Sequence, residues 1–359
     1  MGRLKIYGVR NFDAIDGNEQ IRKNSFSNNI GNSLFNNTVY KSIDWNMCEL
    51  VSSPELSDIH CLVLANAFSR YFKEHLINLT KQIKARAKKT IVIGGGIHSS
   101  REFDDESLQE AVRNFALTIF ETGGNIGVRG DITYGFFKRI LGSTDGIYNI
   151  GCPSIRFFGK NIPPLQSKKE LNRDSRIGVC FTPYGDSHEY TTFCDRIWRE
   201  YPKSFAMMQD QCEGLLLMDG TMNPNSRIRE LYPCYQQHFM IRHGRCRIEP
   251  NIQKWINMLT TFDFCIGSRI HGCMIGILAG VPTLLIAIDE RQVEIAKFNR
   301  IPYIRQGIIN RNTSLEALFS YAHENMDEIY NVYPENLKKY TDYLTMNNIP
   351  VSQDFIFDN

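Results

Sequence analysis

The sequence predicts an α/β protein in which two Rossmann-like domains, each a doubly wound parallel sheet, face each other across a cleft. Two observations on the sequence and one general property of such sheets support this prediction. Short apolar, β-rich runs alternate with helical patterns along the chain, as in parallel sheets with crossover helices. The length of 359 residues exceeds what one hydrophobic core usually serves. Sheets of this kind bind ligands beyond the carboxyl ends of their strands, so a cleft between two of them is the expected site.

The first half of the chain contains strand and helix patterns in alternation. We predict strands at residues 4–9, 60–64, 90–93 and 125–128, and helices at residues 71–86, 106–122 and 132–141. Residues 163–170 are polar and contain two prolines, which indicates a linker. A first domain is therefore expected over residues 1–165.

A second series of the same kind follows the linker. We predict strands at residues 176–181, 204–208, 262–266 and 283–288, and helices at residues 251–260, 271–279, 293–299, 315–326 and 334–347. These patterns predict a second domain over residues 166–330, and a closing helix and tail over residues 331–359.

Charge and composition exclude several classes of function. Forty-one Lys and Arg against 39 Asp and Glu leave a formal net charge of +2, so no general field attracts nucleic acid. The N-terminus lacks a signal peptide, and the longest apolar run, residues 274–288, is interrupted by Pro282 and shorter than a membrane span. We therefore expect a cytoplasmic protein without a transmembrane segment; peripheral attachment at the inner face of a membrane stays open.

The ten cysteines are scattered and include no C-x-x-C pair, so no structural metal site is expected. Cys61, Cys180 and Cys265 lie in apolar, strand-like runs and are predicted to be small core residues.

The densest chemical signal is the segment DFCIGSRIHG at residues 263–272. A buried strand that ends at Gly267 and a helix that begins near Ser268 place Arg269 and His271 at the mouth of the second sheet. The helix N-terminus favours anions there, arginine adds bidentate binding of phosphate or carboxylate, and the histidine could act as an acid or base. The same spacing fits a capping Ser268, an Arg269 paired with an acidic neighbour and a hydrogen-bonded His271 equally well.

Two other segments could line a cleft, and each has a simpler interpretation. The glycine run at residues 94–96 could hold a phosphate, but it lacks the G-x-G-x-x-G spacing and a P-loop lysine, so a tight turn is the simpler interpretation. Gln209 and Glu213 follow a predicted strand and could face the cleft or begin a solvated helix.

A basic segment follows His238. His238 and His243 flank residues 239–241, which we predict to be a strand. Four basic residues usually form a solvated face, but could meet an anionic acceptor if they faced the cleft: Arg242, His243, Arg245 and Arg247.

Several segments resemble the polysaccharide pyruvyl transferase family, in the order in which that family has them. The GSRIHG motif, its helix and the AGVP run at residues 279–282 resemble the family's C-terminal hallmark. Residues 29–32, NIGN, resemble its N-x-G-D element. Further segments resemble other family elements: IGGG at 93–96, GVRGDIT at 127–133, GCPS at 151–154 and DERQVE at 289–294.

The resemblance implies two Rossmann-like domains arranged as in GT-B glycosyltransferases. It also implies transfer of the pyruvyl group of phosphoenolpyruvate onto a saccharide as a ketal, with the acceptor on the first domain and the donor on the second. Arg129, Arg269 and Arg291 would form the donor's anion clamp, and His271 would transfer the proton. With this clamp no metal or other cofactor is needed in principle. The candidates for the acceptor side or the cleft are Asn29, Asn32, Gly95, Gln209 and Glu213.

Two departures from the family pattern matter. Asn32 stands where many members have aspartate, so a carboxylate base at that position is absent. Arg291 stands where some members have lysine, which keeps the charge but changes its geometry.

Two other functions stay open. One is a nucleotide-sugar glycosyltransferase on the same scaffold, in which Glu213 or Glu294 could bind the ribose. The other is a non-catalytic glycan-binding relative. The sequence does not identify the acceptor sugar, whether the acceptor is lipid-linked, or the oligomeric state.

Overall fold

The computed structural model describes residues 2–7, 17–22, 29–166, 170–221 and 230–357. It contains two six-stranded sheets, and every pair of neighbouring strands is parallel. The predicted fold class is therefore confirmed.

The first sheet is built from the first 150 residues. Its strands are β1 (Gly2–Tyr7), β2 (Cys48–Leu50), β3 (Ile59–Val63), β4 (Lys89–Gly95), β5 (Ile126–Val128) and β6 (Ile147–Asn149). Its helices are α1 (Gly17–Arg22), α2 (Asn32–Lys41), α3 (Lys73–Arg86), α4 (Glu106–Glu121) and α5 (Asp131–Leu141). The strand order is β2-β1-β3-β4-β5-β6, a doubly wound order that reverses between β1 and β3.

The second sheet follows the connection after β6. Its strands are β7 (Ile177–Cys180), β8 (Phe205–Met207), β9 (Cys246–Arg247), β10 (Phe264–Gly267), β11 (Thr283–Ala287) and β12 (Tyr303–Arg305). The helices are α6 (His188–Glu200), α7 (Gln211–Asp219), α8 (Phe239–Arg242), α9 (Ile252–Leu259), α10 (Ile270–Leu278), α11 (Glu290–Asn299), α12 (Leu315–Asn325) and α13 (Asp327–Met346). The order is β12-β11-β10-β7-β8-β9, which is the Rossmann order with its reversal between β7 and β10.

Successive side chains of a strand point to opposite faces of its sheet. Alternate residues of one strand therefore pack into different hydrophobic cores. In β4, Ile91 and Ile93 join a core that includes residues of α2 and α13. Val92, between them, joins a separate core with α3, α4 and α5. The first of these cores also contains Cys265 and Leu285 of the second sheet, so one continuous core connects the two halves.

The C-terminal helix returns to the first sheet. Tyr343 Oη in α13 lies 2.7 Å from Val92 O and 2.8 Å from Asn125 O. Tyr340 Oη lies 2.8 Å from Ser42 Oγ, just beyond α2. The predicted closing helix thus packs on the opposite end of the chain.

Two predicted elements differ from the structure. Residues 239–241 are not a strand but belong to the short helix α8, whose N-cap is His238: its Nδ1 accepts from Met240 N at 3.3 Å. Burial lowers the pKa of His238 to about 4, which keeps this ring nitrogen an acceptor. The last helix begins at Asp327 and continues through Pro334, where the sequence predicted its first residue.

The predicted linker is described only in part, because residues 167–169 lie outside the described residues. No helix in the described part of the chain is long and apolar enough to cross a bilayer. Cys61, Cys180 and Cys265 are fully buried, which confirms them as core residues.

Candidate active site

The centre of the site lies at the switch point of the second sheet, where β7 and β10 are neighbours. β10 ends at Gly267, and α10 begins at Ile270 with Arg269 in the N-cap position. The backbone N–H groups of Ser268 and Arg269 donate to Cys180 O at the end of β7, at 2.7 and 3.2 Å. The predicted junction of strand and helix is therefore present, held to the neighbouring strand.

Ser268 has a different role from the helix cap considered as an alternative. Its hydroxyl donates to Thr182 Oγ1 at 2.9 Å, and its carbonyl accepts from Gln292 Nε2 at 2.7 Å. Ser268 thus joins the loop after β7 to α11, and the N-cap position belongs to the next residue.

Arg269 is buried and paired on one side only. Its Nη2 lies 2.6 Å from Asp210 Oδ2 and 3.5 Å from Glu213 Oε2. Burial alone would lower the pKa of Arg269, but the two carboxylates outweigh it and raise that pKa. The alternative of an arginine paired with acidic neighbours is confirmed. Nε and Nη1, however, have no hydrogen-bond partner within the described residues, so the N–H groups on these two nitrogens stay unused.

The predicted cleft residues Gln209 and Glu213 are buried at the start of α7. Glu213 Oε2 accepts from the backbone N–H groups of Gln209 and Asp210, each at 2.8 Å. Burial raises the pKa of Glu213 to about 7; Arg269 opposes the shift and Asp210 adds to it. A solvated helix start is therefore wrong. Both side-chain amide atoms of Gln209 lack a partner in the part of the chain that the structure describes.

Arg129 approaches from the first sheet, directly after β5, and its side chain is only 3% exposed. Nε donates to Glu294 Oε1 at 3.2 Å, and Nη2 donates to Ile97 O at 2.8 Å. Nη1 donates to Ala65 O and, at 2.9 Å, to Asn66 Oδ1. Burial lowers the pKa of Arg129, against the opposing effect of Glu294. The guanidinium group is fixed by the loops after β3 and β4.

The glycine run after β4 makes room for this arginine. A Cβ atom at Gly96 would collide with the Arg129 guanidinium group, so no larger residue fits there without displacing it. Gly95 packs against the Phe68 ring. No role toward a ligand follows from that contact.

Helix α11 connects the two halves of the site. Glu294 accepts from Thr133 N and Thr133 Oγ1 in the first turn of α5, both at 2.9 Å, and it pairs with Arg129. Arg291, one turn earlier, pairs with Asp289 at 3.1 Å rather than with Glu294, and its side chain is 20% exposed. Its buried Nε has no partner among the residues described.

His271 lies within the electrostatic influence of three arginines. Burial first, and then the charges of Arg291, Arg129 and Arg269 in that order, together lower the pKa of His271 to about 3. The four residues come from three separate elements, yet all are close enough to interact electrostatically. The structure therefore brings together every residue predicted for the donor site, with a neutral imidazole at neutral pH.

The turn before α2 closes the site from the first half. Ile30 N donates to Gln209 O at 2.9 Å, and Asn29 Oδ1 accepts from Gly31 N at 2.8 Å. A Cβ atom at Gly31 would lie 2.8 Å from both His271 Cβ and Gln209 Oε1. This turn thus contacts the central histidine directly.

Asn32 follows as the first residue of α2, and its N–H donates to Asn29 O at 3.2 Å. Asn29 in turn forms an isolated antiparallel bridge with Asp210. The acceptor-side role of Asn29 and Asn32 stays a prediction, but their turn lies beside two buried carboxylates of the second half.

Asp210 and Tyr184 are the site residues that the sequence analysis missed. Asp210 precedes α7 with Glu213 three residues later, the pattern of a capping box, which would have predicted both near a helix N-terminus. Tyr184 is 44% exposed, and its ring centroid lies 5.9 Å from Arg269 Cζ. No pattern distinguishes it in sequence.

The fold and the site define a two-sheet α/β protein with a histidine and three arginine–carboxylate pairings at the carboxyl ends of both sheets. Residues 11–290 match the family model of polysaccharide pyruvyl transferase. This match covers well over half of the chain, so the chain belongs to the polysaccharide pyruvyl transferase family. It is accordingly a transferase of glycan modification.

The chain is similar in structure to several solved proteins. It has a TM-score of 0.48 and 10% identity to Anabaena HepE in complex with UDP and glucose, covering 97% of each chain. It has a TM-score of 0.44 and 12% identity to a functionally uncharacterised protein from Klebsiella pneumoniae, covering 84% of this chain and 92% of that one. It has a TM-score of 0.44 and 10% identity to the UDP-GlcNAc 2-epimerase of Methanocaldococcus jannaschii, covering 93% of this chain and 100% of that one. Comparison with curated proteins gives no significant match.

Proposed function

We propose that the chain transfers the pyruvyl group of phosphoenolpyruvate to two hydroxyl groups of a saccharide, forming a pyruvate ketal. The supporting observations are that the charges of three arginines act on His271, and that Arg269 and Arg291 retain buried N–H groups without partners in the described structure. A donor that carries both a phosphate and a carboxylate matches such a site, because charge-assisted hydrogen bonds to arginine favour those two groups.

The proposed reaction moves two protons, one from each acceptor hydroxyl group. The two acceptor oxygens bond to the central carbon of the donor, the carbon–oxygen bond to phosphate breaks, and the methylene carbon becomes a methyl group. One hydroxyl proton goes to the methylene carbon, and the other leaves with phosphate. No metal is included in the proposal, since the arginines supply the positive charge.

His271 is proposed to move the proton. With a pKa of about 3 it is neutral in the empty site, because it is half-buried and the charges of Arg291, Arg129 and Arg269 act on it. A donor with three negative charges would offset those arginines and raise the pKa. His271 would then take up a proton when the donor binds and donate it during the reaction.

The donor is tested first by thermal stability. A ligand that binds only the native state raises the melting temperature, so phosphoenolpyruvate at millimolar concentration should raise it by several degrees. Turnover is then measured as phosphate release with a panel of saccharides, with and without EDTA, together with a product whose mass has gained the pyruvyl group. If phosphoenolpyruvate neither stabilises the protein nor releases phosphate, the proposal is wrong.

The nucleotide-sugar alternative is tested in the same assay with UDP-glucose and GDP-mannose. Glu294, one candidate for a ribose contact, is 1% exposed and already accepts from Arg129 and Thr133. Glu213 is 1% exposed and its Oε2 accepts from two backbone N–H groups, although its buried Oε1 has no partner among the described residues. We therefore expect no stabilisation by either nucleotide sugar, and stabilisation by them alone would favour the glycosyltransferase. Binding of saccharides without any turnover would favour a glycan-binding protein.

Arg291→Lys tests the donor clamp. Lysine keeps the charge but removes Nε and the planar fork, so it forfeits a charge-assisted hydrogen bond worth about 1.5–3 kcal/mol. We expect the Kd for phosphoenolpyruvate, measured by calorimetry, to rise by about tenfold or more. Arg305→Lys, exposed on the edge strand β12, is the matched control and should not change it. An unchanged Kd in Arg291→Lys would leave Arg291 as a structural partner of Asp289.

A further inference from the structure

An exposed tyrosine and a half-buried histidine form an aromatic pair on loops of the first half that also contact Arg129. Tyr71 is 89% exposed, more than any other large apolar or aromatic side chain among the described residues. Its ring meets the imidazole of His98 edge-on, with centroids 6.3 Å apart and planes at 88°. A ring as exposed as that of Tyr71 gains little free energy from burial within the protein. Packing therefore does not explain why an aromatic residue stands at this position.

A buried carboxylate fixes the two loops that carry this pair. Glu102 is 4% exposed, and its Oε2 accepts from His98 N at 2.8 Å and Ser99 N at 3.1 Å. Its Oε1 accepts from Arg70 N, the residue before Tyr71, at 3.3 Å. One side chain therefore holds both loops and sets the position of one ring against the other.

The same loops hold the proposed donor clamp. Arg129 donates to Ala65 O and Asn66 Oδ1 in the loop before Tyr71, and to Ile97 O, the residue before His98. Phe68 N donates to Gly96 O at 3.3 Å and joins the loops a third time. The loops that carry the aromatic pair are thus hydrogen-bonded to the arginine at the carboxyl ends of β3 and β4.

We propose that Tyr71, with His98 supporting its ring, is the acceptor subsite and stacks on the apolar face of a pyranose. The face of an aromatic ring carries negative potential and attracts the weakly positive C–H bonds of a sugar. The ligand class, a saccharide, rests on the proposed function. Loops held by a rigid scaffold are where binding residues usually lie, and these loops are hydrogen-bonded to Arg129, one of the residues proposed for the donor site.

The test measures saccharide binding without turnover. Methyl β-glycosides of glucose, galactose and N-acetylglucosamine, at millimolar concentration, are examined by saturation-transfer NMR with the full-length protein. We expect transfer to the ring protons of at least one glycoside, reduced at least fivefold in Tyr71→Ala and retained in Tyr71→Phe. Tyr321→Ala, which removes another exposed tyrosine on α12, should leave the signal unchanged.

Two results would overturn the subsite: no transfer to any of the three glycosides, or equal transfer in Tyr71→Ala and the parent. Stabilisation by phosphoenolpyruvate, measured on the same samples, separates the two proposals. It should be the same in the parent and in Tyr71→Ala. If phosphoenolpyruvate does not stabilise the parent, the proposed donor is wrong. A saccharide signal that depends on Tyr71 would still support the acceptor subsite.

Discussion

Replacing His271 by alanine should lower the turnover of pyruvyl transfer by about 10²–10⁴-fold, the usual effect of removing a general acid or base. Binding of phosphoenolpyruvate should be nearly unchanged, because the arginines and not the imidazole hold its charges. The measurements are kcat from phosphate release and the Kd of the donor. This separation of turnover from binding distinguishes a proton-transfer role from a structural one.

His243→Ala is the matched control, since His243 is exposed at the end of α8. A kcat of His271→Ala within about threefold of the parent would show that the proton comes from elsewhere. Stability gives a second readout. The pKa of His271 is about 3 in the folded protein and 6.5 as its ordinary value, so the unfolded chain binds a proton that the native state refuses between those values. Folding stability is lost as pH falls through this window, and His271→Ala should lose less.

Glu294→Ala should cost about 3–5 kcal/mol of stability, because it leaves the buried Arg129 guanidinium group without its counter-charge. It also removes the acceptor for Thr133 N and Thr133 Oγ1 across the two halves. The expected observation is a fall of several degrees in melting temperature. Donor binding should weaken too, since Arg129 loses the group that orients it.

The matched control is Glu335→Ala, which removes an exposed glutamate paired with Lys339 on α13 and should leave the melting temperature unchanged. The double variant Arg129→Ala with Glu294→Ala tests the mechanism. If an unpaired buried charge causes the loss, the double variant should lose about 0.5–3 kcal/mol less than the sum of the two single variants. Additive losses would mean that the two side chains contribute independently.

The strands that the sequence predicted are recognisable from the residues within each strand and at its ends. Residues 90–93 and 283–288 are apolar, β-branched runs bounded by polar or glycine-containing segments, and they form β4 and β11. β9 and β12, by contrast, have two and three residues and lie at the edges of their sheet. Strands as short as β9 and β12 are defined by their pairing with a neighbouring strand. The pattern of residues within one segment does not show that pairing.

Contacts between distant segments also limit how much of the site the sequence predicts. Arg129, Arg269, Arg291 and His271 stand in short motifs, so the sequence predicted them as a group. Their carboxylate partners come from distant segments: Arg269 pairs with Asp210, 59 residues away, and Arg129 with Glu294, 165 residues away. Residue types alone could not assign a partner to Arg291, because Asp289 and Glu294 both lie within one turn of it and only the folded helix distinguishes them.

The return of α13 to the first sheet has a consequence for how the chain folds during synthesis. Tyr340, Tyr343 and Leu344 complete the core beneath β3 and β4, which are made some 250 residues earlier. A ribosome that has released the first 165 residues has therefore produced a sheet with one face covered only in part, by α2. The rest of the cover arrives with α13, so that face stays partly exposed until residues 327–346 have been synthesised.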